Sequence, residues 1–351
     1  MNGLNLKTPP SLAGLLPEEI ARLTEGGASF PSYRLKQIYE WTRRGVLSFD
    51  DMNNLPPEMR KSLKSRFRLF SSAVSAVLED EDGTVKFQIT LEDGNKIEAV
   101  ILNDGKGRKT ACLSVQAGCP AACVFCKTGA LGFTRNLKAG EITEEYIFLK
   151  KHAPDISHIV IMGMGEPLFN LEELRKASGF FCDKEGFNIS RRRITLSTSG
   201  IVPGIRDMAD NGPDLKLALS LTSAREDLRA RLMPVAKDNP LTLLKESLVY
   251  FQKKQKSRIT LEAVLLGGIN TGTEDARALS CFARGLDAVI NLIPWNPVDG
   301  LLFEGKALSP PPESEIAEYE AALKNRGLNV TRRYKKGRGV MGACGQLGGC
   351  P

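Results

Sequence analysis

The chain has 351 residues, 42% of them hydrophobic and 25% charged, which is room for a large core and about two domains of roughly 150 residues each. Its formal net charge is +7, within the range of an ordinary soluble globular protein. No secretory leader and no apolar stretch of membrane-spanning length is found, which argues against a disulfide framework and a membrane partner and for a cytoplasmic protein with reduced thiols.

In chain order, residues 1–70 read as a small helical domain. Pro31 to Phe67 is helical with breaks at Asp50-Asp51 and Leu55-Pro56-Pro57, and Ile38, Trp41, Leu47 and Met52 are placed to be buried. Residues 71–108 read as short antiparallel strands, Ala73 to Leu78, Thr84 to Leu91 and Lys96 to Leu102, turning at Asp82-Gly83 and Asp93-Gly94. From 109 to 335 apolar strand runs alternate with helix-length segments. The strands are Ala111 to Val115, His158 to Met162, Arg193 to Leu196, Leu215 to Leu219, Thr260 to Leu265 and Ala288 to Pro294. Among the helices are Thr143 to His152, Leu171 to Cys182, Leu241 to Lys254 and Thr273 to Arg284. Repeats of this kind with right-handed crossovers predict an α/β fold, a partial, open (β/α)6 TIM-like barrel behind a small N-terminal α+β accessory domain, with chemistry at the strand C-termini. Residues 336–351 form a C-terminal segment carrying Cys344. From Ala321 to Pro351 stand Lys324, Arg326, Arg332, Arg333, Lys335, Lys336 and Arg338 and no acid, so the whole charge excess lies there. Such a segment attracts a polyanion, so nucleic acid is the expected partner; the plainer alternative is a solvated basic strand end.

Directly after the first barrel strand Cys119, Cys123 and Cys126 are spaced C-x-x-x-C-x-x-C. Three thiolates on a [4Fe-4S] cluster leave one iron open to a small chelating ligand, and the amino and carboxylate groups of S-adenosylmethionine (SAM) would place its sulfonium beside a reducing centre. Cysteine-ligated clusters reach potentials down to roughly −700 mV, low enough for radical chemistry. A zinc site would usually need a fourth ligand in paired spacing, and Cys182, Cys281, His152 and His158 are isolated. A ferredoxin-like carrier would show four ligands per cluster in a shorter chain. The polar residues after the other strands fit the same reading. Gly165 lets backbone approach a ligand, Glu166 offers an acceptor for an ammonium group, and Ser197, Ser220 and Asn296 offer neutral hydrogen bonds, with Leu221 and Thr222 beside them.

The strings GCPAACVFCKTG, MGMGEPLFNL, RRRITLSTSGIVP, NLIPWNP and GACGQL, in this order, resemble the RlmN/Cfr family of radical SAM RNA methyltransferases over about Ser32 to Cys344. The Gly-Glu-Pro and Ile-Pro-Trp-Asn-Pro strings resemble the RlmN branch, which implies methylation at C2 of an adenine in the peptidyl-transferase region of 23S rRNA and of the adenine beside the anticodon of tRNA. The Cfr branch would imply C8. The resemblance also implies two SAM per turnover, a flavodoxin or ferredoxin electron donor and a monomer. One SAM methylates a cysteine, matched by Cys344. The radical from a second SAM activates that methyl for attack on C2, an electron-poor carbon that ordinary displacement cannot reach. Cys112 matches the thiolate that resolves the adduct, leaving a Cys112–Cys344 disulfide, and Glu98 matches the base that takes the C2 proton.

Read without the resemblance, Cys112 is a small buried hydrophobe and Glu98 a solvated strand residue. Thr222 stands where the family has histidine, Gly339-Val340-Met341 replaces an acidic segment, and the chain stops at Pro351 with a spare thiol at Cys350, so fewer RNA contacts are expected at that end. The competing readings are a cluster-bearing RNA chaperone or redox sensor without catalysis and a radical SAM enzyme with another substrate.

Overall fold

A computed structural model describes residues 9–24, 30–333, 336–337 and 339–348. Lys335, Arg338 and Cys350 lie outside the described residues.

The main sheet has ten strands: β1 (Ala73–Glu79), β2 (Val85–Thr90), β3 (Lys96–Asn103), β4 (Lys109–Leu113), β5 (Ile156–Ile161), β6 (Ile194–Thr198), β7 (Lys216–Ser220), β8 (Ile259–Leu265), β9 (Ala288–Pro294) and β10 (Val330–Arg332), in that spatial order. β1 to β4 pair antiparallel and β4 to β10 parallel. The antiparallel strands therefore continue the barrel wall, and a seventh parallel strand, β10, extends its far edge. β10 is short and begins at Asn329-Val330 within a polar, basic stretch, so it carries too little apolar signal to be read from the sequence.

The parallel strands alternate: helices cover the apolar outer residues, such as Ala111, Ile159, Ile194, Leu217, Leu261 and Leu292, while Thr110, His158, Thr195, Lys216 and Asn291 point inward and line the barrel cavity. Leu171–Cys182 shows the logic of the covering helices. Glu172 and Glu173 favour its N-terminal dipole, and Leu171, Leu174, Ala177, Phe180 and Phe181 form a stripe buried against the sheet. The hairpin turns carry Gly83 at φ +75° and Gly94 at φ +84°, a backbone region open to glycine.

The N-terminal helices enclose their own apolar cluster, with Leu12, Ile20, Ile38, Met52 and Leu63 fully buried. Leu47 is a correction: it is 70% exposed. Ser48 and Asp51 form a reciprocal cap around a short 3-10 turn, Phe49–Asp51, and that turn sends Phe49 into the core in place of Leu47. Trp41 is half-buried, donating from Nε1 to Asn54 Oδ1 at 2.6 Å, with the Arg44 guanidinium 4.9 Å from its ring. The terminal cations are also not one solvated stripe. Lys324 pairs with Glu320 at 2.6 Å, Arg332 pairs with Glu313, and Arg333 turns inward to Cys344. Among the described residues no helix is long and apolar enough to cross a membrane.

Candidate active site at the cysteine rim of the barrel

The chain leaves β4 through Ser114 and Val115 and makes a small hairpin, Gln116–Gly118 against Phe133–Asn136, that encloses the cysteine loop. Gly118 has φ +78°, and a Cβ there would sit 1.9 Å from the Gly132 carbonyl oxygen, so glycine is required where the loop closes. Cys119 N–H donates to Gly132 O at 2.8 Å, and Val124 N–H to Leu232 O at 3.0 Å, which anchors the loop at both ends. Cys126 precedes the helical turn Lys127–Ala130, whose Gly129 and Thr128 N–H groups face its sulfur; the Ala121 and Ala122 N–H groups face Cys119. These donors favour thiolates, yet burial dominates: Cys119 is pushed up to about 12, and Cys123 and Cys126 also stand above the usual thiol range. Thiols in this setting need a cationic metal centre to ionise.

The three cysteines share a cavity of about 160 Å3 with Gly165, Glu166, Ser197, Ser220, Asn296 and Cys344. Among the described residues no three ligand-type side chains converge on a point as a single ion would require, whereas a cubane spreads its thiolates over different irons.

Glu166 is buried and fully engaged. Its Oε1 accepts from Thr198 Oγ1 at 2.7 Å and Leu168 N–H at 3.1 Å, and its Oε2 accepts from Ser199 N–H and Ser199 Oγ, each at 2.7 Å. The expected free acceptor is thus already satisfied, and a ligand ammonium would take the place of a hydroxyl. Gly165, at φ +104°, lets the loop pass Gln116, whose Cβ would lie 2.6 Å from an added methyl. Gln116 Oε1 in turn accepts the Glu166 N–H at 2.8 Å. Ser197 and Ser220 touch at 3.1 Å, and Ser197 donates to Glu262 Oε2 at 3.1 Å.

Leu221 and Thr222 are displaced from the place the sequence suggested. Both donate their N–H to the Glu262 carbonyl, at 2.9 and 3.1 Å, and their side chains turn away from the shared cavity toward a separate small void beside Asn270. Thr222 sits at φ +57°, and its Oγ1 is buried without a partner among the described residues.

Asn296 donates from Nδ2 to the Cys344 carbonyl at 3.1 Å, while its Oδ1, buried at the cavity, has no partner among the described residues. That orphaned acceptor, three thiols on one wall and two serines fit a cluster with an adenosyl-bearing ligand beside it.

Cys344 lies between this cavity and a second of about 490 Å3 that it shares with Cys112 and Arg333. Arg333 Nη1 approaches the Cys344 sulfur at 3.4 Å. Burial pushes the Cys112 thiol far up. Glu98 is 2% exposed, which corrects its reading as a solvated residue. It lies behind the C-terminal loop, accepting from Gly348 N–H at 2.8 Å and pairing with buried Lys86 at 3.4 Å.

Two features escaped the sequence. Glu262 is a lone acid inside the apolar run of β8, a pattern break that marks an inward-facing site residue. The second cavity is ringed by Arg108, His158, Arg193 and Lys216, which lie far apart in the chain at the starts of successive strands.

Comparison with known proteins gives the same class. The Radical SAM superfamily model matches residues 113–279. The fold superposes on the crystal structure of a radical SAM methyltransferase from Sphaerobacter thermophilus with a TM-score of 0.91, at 34% identity, covering 97% of this chain and 99% of that one. Fold and site together define a radical SAM enzyme, a class that works with a [4Fe-4S] cluster and SAM. The probable dual-specificity RNA methyltransferase RlmN of Treponema denticola is 48% identical over 97% of this chain and 96% of its own. The dual-specificity RNA methyltransferase RlmN of Halorhodospira halophila is 40% identical over 90% and 88%. The chain belongs to the RlmN family of radical SAM methyltransferases.

Proposed function

We propose that this enzyme forms 2-methyladenosine in 23S rRNA and in tRNA, by way of a methylated Cys344. The observation that carries the reading is Cys344 itself, which lines both the cysteine-lined cavity and the basic cavity and shares the latter with Cys112. Cys119, Cys123 and Cys126 hold the cluster, and Gly165, Glu166, Ser197, Ser220 and Asn296 surround SAM. When bound, the two supply a methyl group and, from a second SAM, a hydrogen-abstracting carbon radical.

The residues divide the remaining work. Arg333, whose Nη1 lies 3.4 Å from the sulfur, holds the Cys344 side chain in place for its first methylation. Cys344 then presents its carbon to adenine C2 in the cavity it shares with Cys112. After the C2 proton has left, the Cys112 thiolate attacks the Cys344 sulfur; an S–S bond forms as the S–C bond breaks, and the electron pair of that bond stays with the carbon on adenine, which takes up a proton to become the methyl group. Glu98 takes the C2 proton once the loop that now covers it through Gly348 has moved aside. Residues 1–70 and the strands up to 108 serve as the accessory part that meets RNA, and a flavodoxin or ferredoxin is the electron donor.

The test is anaerobic incubation of iron-loaded protein with SAM, reductant and separate rRNA and tRNA pools, followed by mass spectrometry. 2-Methyladenosine is expected in both pools with wild type and in neither with Cys344→Ala, which should keep its iron. Methylation by that variant, or 8-methyladenosine from wild type, would overturn the proposal.

A further inference from the structure

Arg229, on the helix Glu226–Leu232, is fully buried, and the reading of the sequence gave it no role. Its Nη2 donates to the Ser199 carbonyl at 2.6 Å, while Nε and Nη1 are buried and find no acceptor among the described residues. A buried guanidinium with one hydrogen bond and, among the described residues, no carboxylate in ion-pair contact is costly, by several kcal/mol in order of magnitude, unless an anion faces it. Burial alone holds it down to about 10, and the strongest influence in the other direction is Cys123, followed by Glu226. Helix and cysteine loop are also joined directly: Val124 N–H donates to Leu232 O, and Leu228 and Leu232 pack in one apolar cluster with Phe125, beside Cys123 and Cys126. Through Ser199, Arg229 abuts the residue whose N–H and hydroxyl hold Glu166.

We infer that Arg229 is the fixed counter-cation of the iron–sulfur cluster and favours its reduced form. The inference rests on the cluster reading above. Three thiolates make the loaded site anionic, and reduction adds one electron from a low-potential donor without a proton to balance it. A cation that cannot leave and is not screened by water therefore stabilises the reduced state more than the oxidised one. Without the cluster the same cation is an uncompensated charge in an apolar setting. Arg229 is thus a positioning and tuning residue for the cluster, distinct from the groups that touch substrate.

The experiment compares wild type, Arg229→Lys and Arg229→Met, each full-length, metal-free or anaerobically reconstituted with iron and sulfide, without SAM. Dithionite-poised redox titration followed by electron paramagnetic resonance reads the reduced fraction. For Arg229→Met a tenfold lower reduced-to-oxidised ratio at fixed potential is expected, equivalent to a midpoint lower by about 59 mV, with Arg229→Lys closer to wild type. Melting temperatures should cross: metal-free Arg229→Met melts at or above metal-free wild type, and gains less on loading. Failure of Arg229→Met to load while Arg229→Lys loads and both metal-free proteins melt normally also supports the charge requirement. A wild-type midpoint in Arg229→Met, loss of iron from both variants, or a metal-free Arg229→Met that does not fold would overturn it. Wild type that takes up no iron–sulfur cluster would sink the functional reading as well, and so separates the two failures.

Discussion

At the mouth formed by the strand C-termini, the polar groups are buried or half-buried and tied to one another: four donors on Glu166, Ser197 against Ser220 and Glu262, three thiols held in a narrow cavity. At the opposite mouth the polar groups are exposed and largely cationic: Arg108, which pairs with Asp104, and Arg192, Arg193 and Lys216 rim the wider cavity that leads up to Cys112. The first arrangement suits a small ligand that must be gripped and kept from water. The second suits a flexible polyanion that must be drawn in and released, because exposed cations contribute mainly through counterion release. Cys344 sits where the two cavities meet, so the C-terminal loop borders both.

The comparison breaks most sharply at the cysteine mouth. Cys123→Ser should abolish both iron uptake and methylation while leaving RNA affinity within about twofold, read by iron assay and filter binding. Any retained radical activity would end the cluster assignment. The converse substitution, Arg193→Ala with Lys216→Ala, should leave iron content unchanged and weaken RNA binding by about tenfold at 0.15 M salt. The log–log salt slope should fall by about one for each lost phosphate contact. An unchanged slope would show that RNA does not enter by the basic mouth.

Legibility in the sequence follows the same division. The cysteine mouth is built from short contiguous strings after successive strands, so spacing alone places Cys119, Cys123, Cys126, Gly165, Ser197, Ser220 and Asn296 on one rim. What it misses there are residues whose local pattern looks ordinary. Arg229 lies in Glu-Asp-Leu-Arg-Ala-Arg-Leu, which reads as an amphipathic helix with a solvated charged face, and only the fold shows that this particular arginine points inward. Leu221 and Thr222 follow a strand end as expected, but a left-handed turn at Thr222 sends their side chains toward a separate void, which a strand-end pattern does not show. The basic mouth was invisible because its cations come from positions 108, 192, 193 and 216, which only the parallel register of β4 to β7 brings together. The basic C-terminal segment was visible as composition, yet its cations turn out to serve different ends.

The loop between the mouths offers a smaller test. Asp82 Oδ2 accepts Gly337 N–H and Asp80 Oδ2 accepts Gly339 N–H, both at 2.9 Å, so the β1–β2 turn fastens the chain leading to Cys344. Replacing both by alanine removes two partly exposed charge-assisted bonds of about 1 kcal/mol each. Hydrogen exchange across 337–348 should rise by about tenfold and methylation should slow, with iron content and overall melting unchanged. If exchange does not rise, the loop is held by its contacts with the cysteine loop, Lys127 N–H to Gly345 O and Thr128 Oγ1 to Leu347 O.

The smallest expected effect concerns the wall between the mouths. Glu145 is fully buried behind β4, with Oε2 accepting Ser114 N–H at 2.9 Å and Oε1 without a partner among the described residues. Burial, with Glu141 nearby adding to it, raises its carboxyl well above the ordinary range of about 4.3. Because the folded value is the higher one, the neutral form is what the fold favours. The stability it contributes is complete below the unfolded value and is lost as pH rises through the folded one. Glu145→Gln keeps an acceptor for Ser114 and cannot ionise. The variant should therefore match wild type near pH 5 and melt about 2 °C higher near pH 8, the scale of a change of ~1 kcal/mol. Equal melting at both pH values would show that Glu145 keeps an ordinary carboxyl in the folded protein, and that the wall between the two mouths is more open to water than its packing indicates.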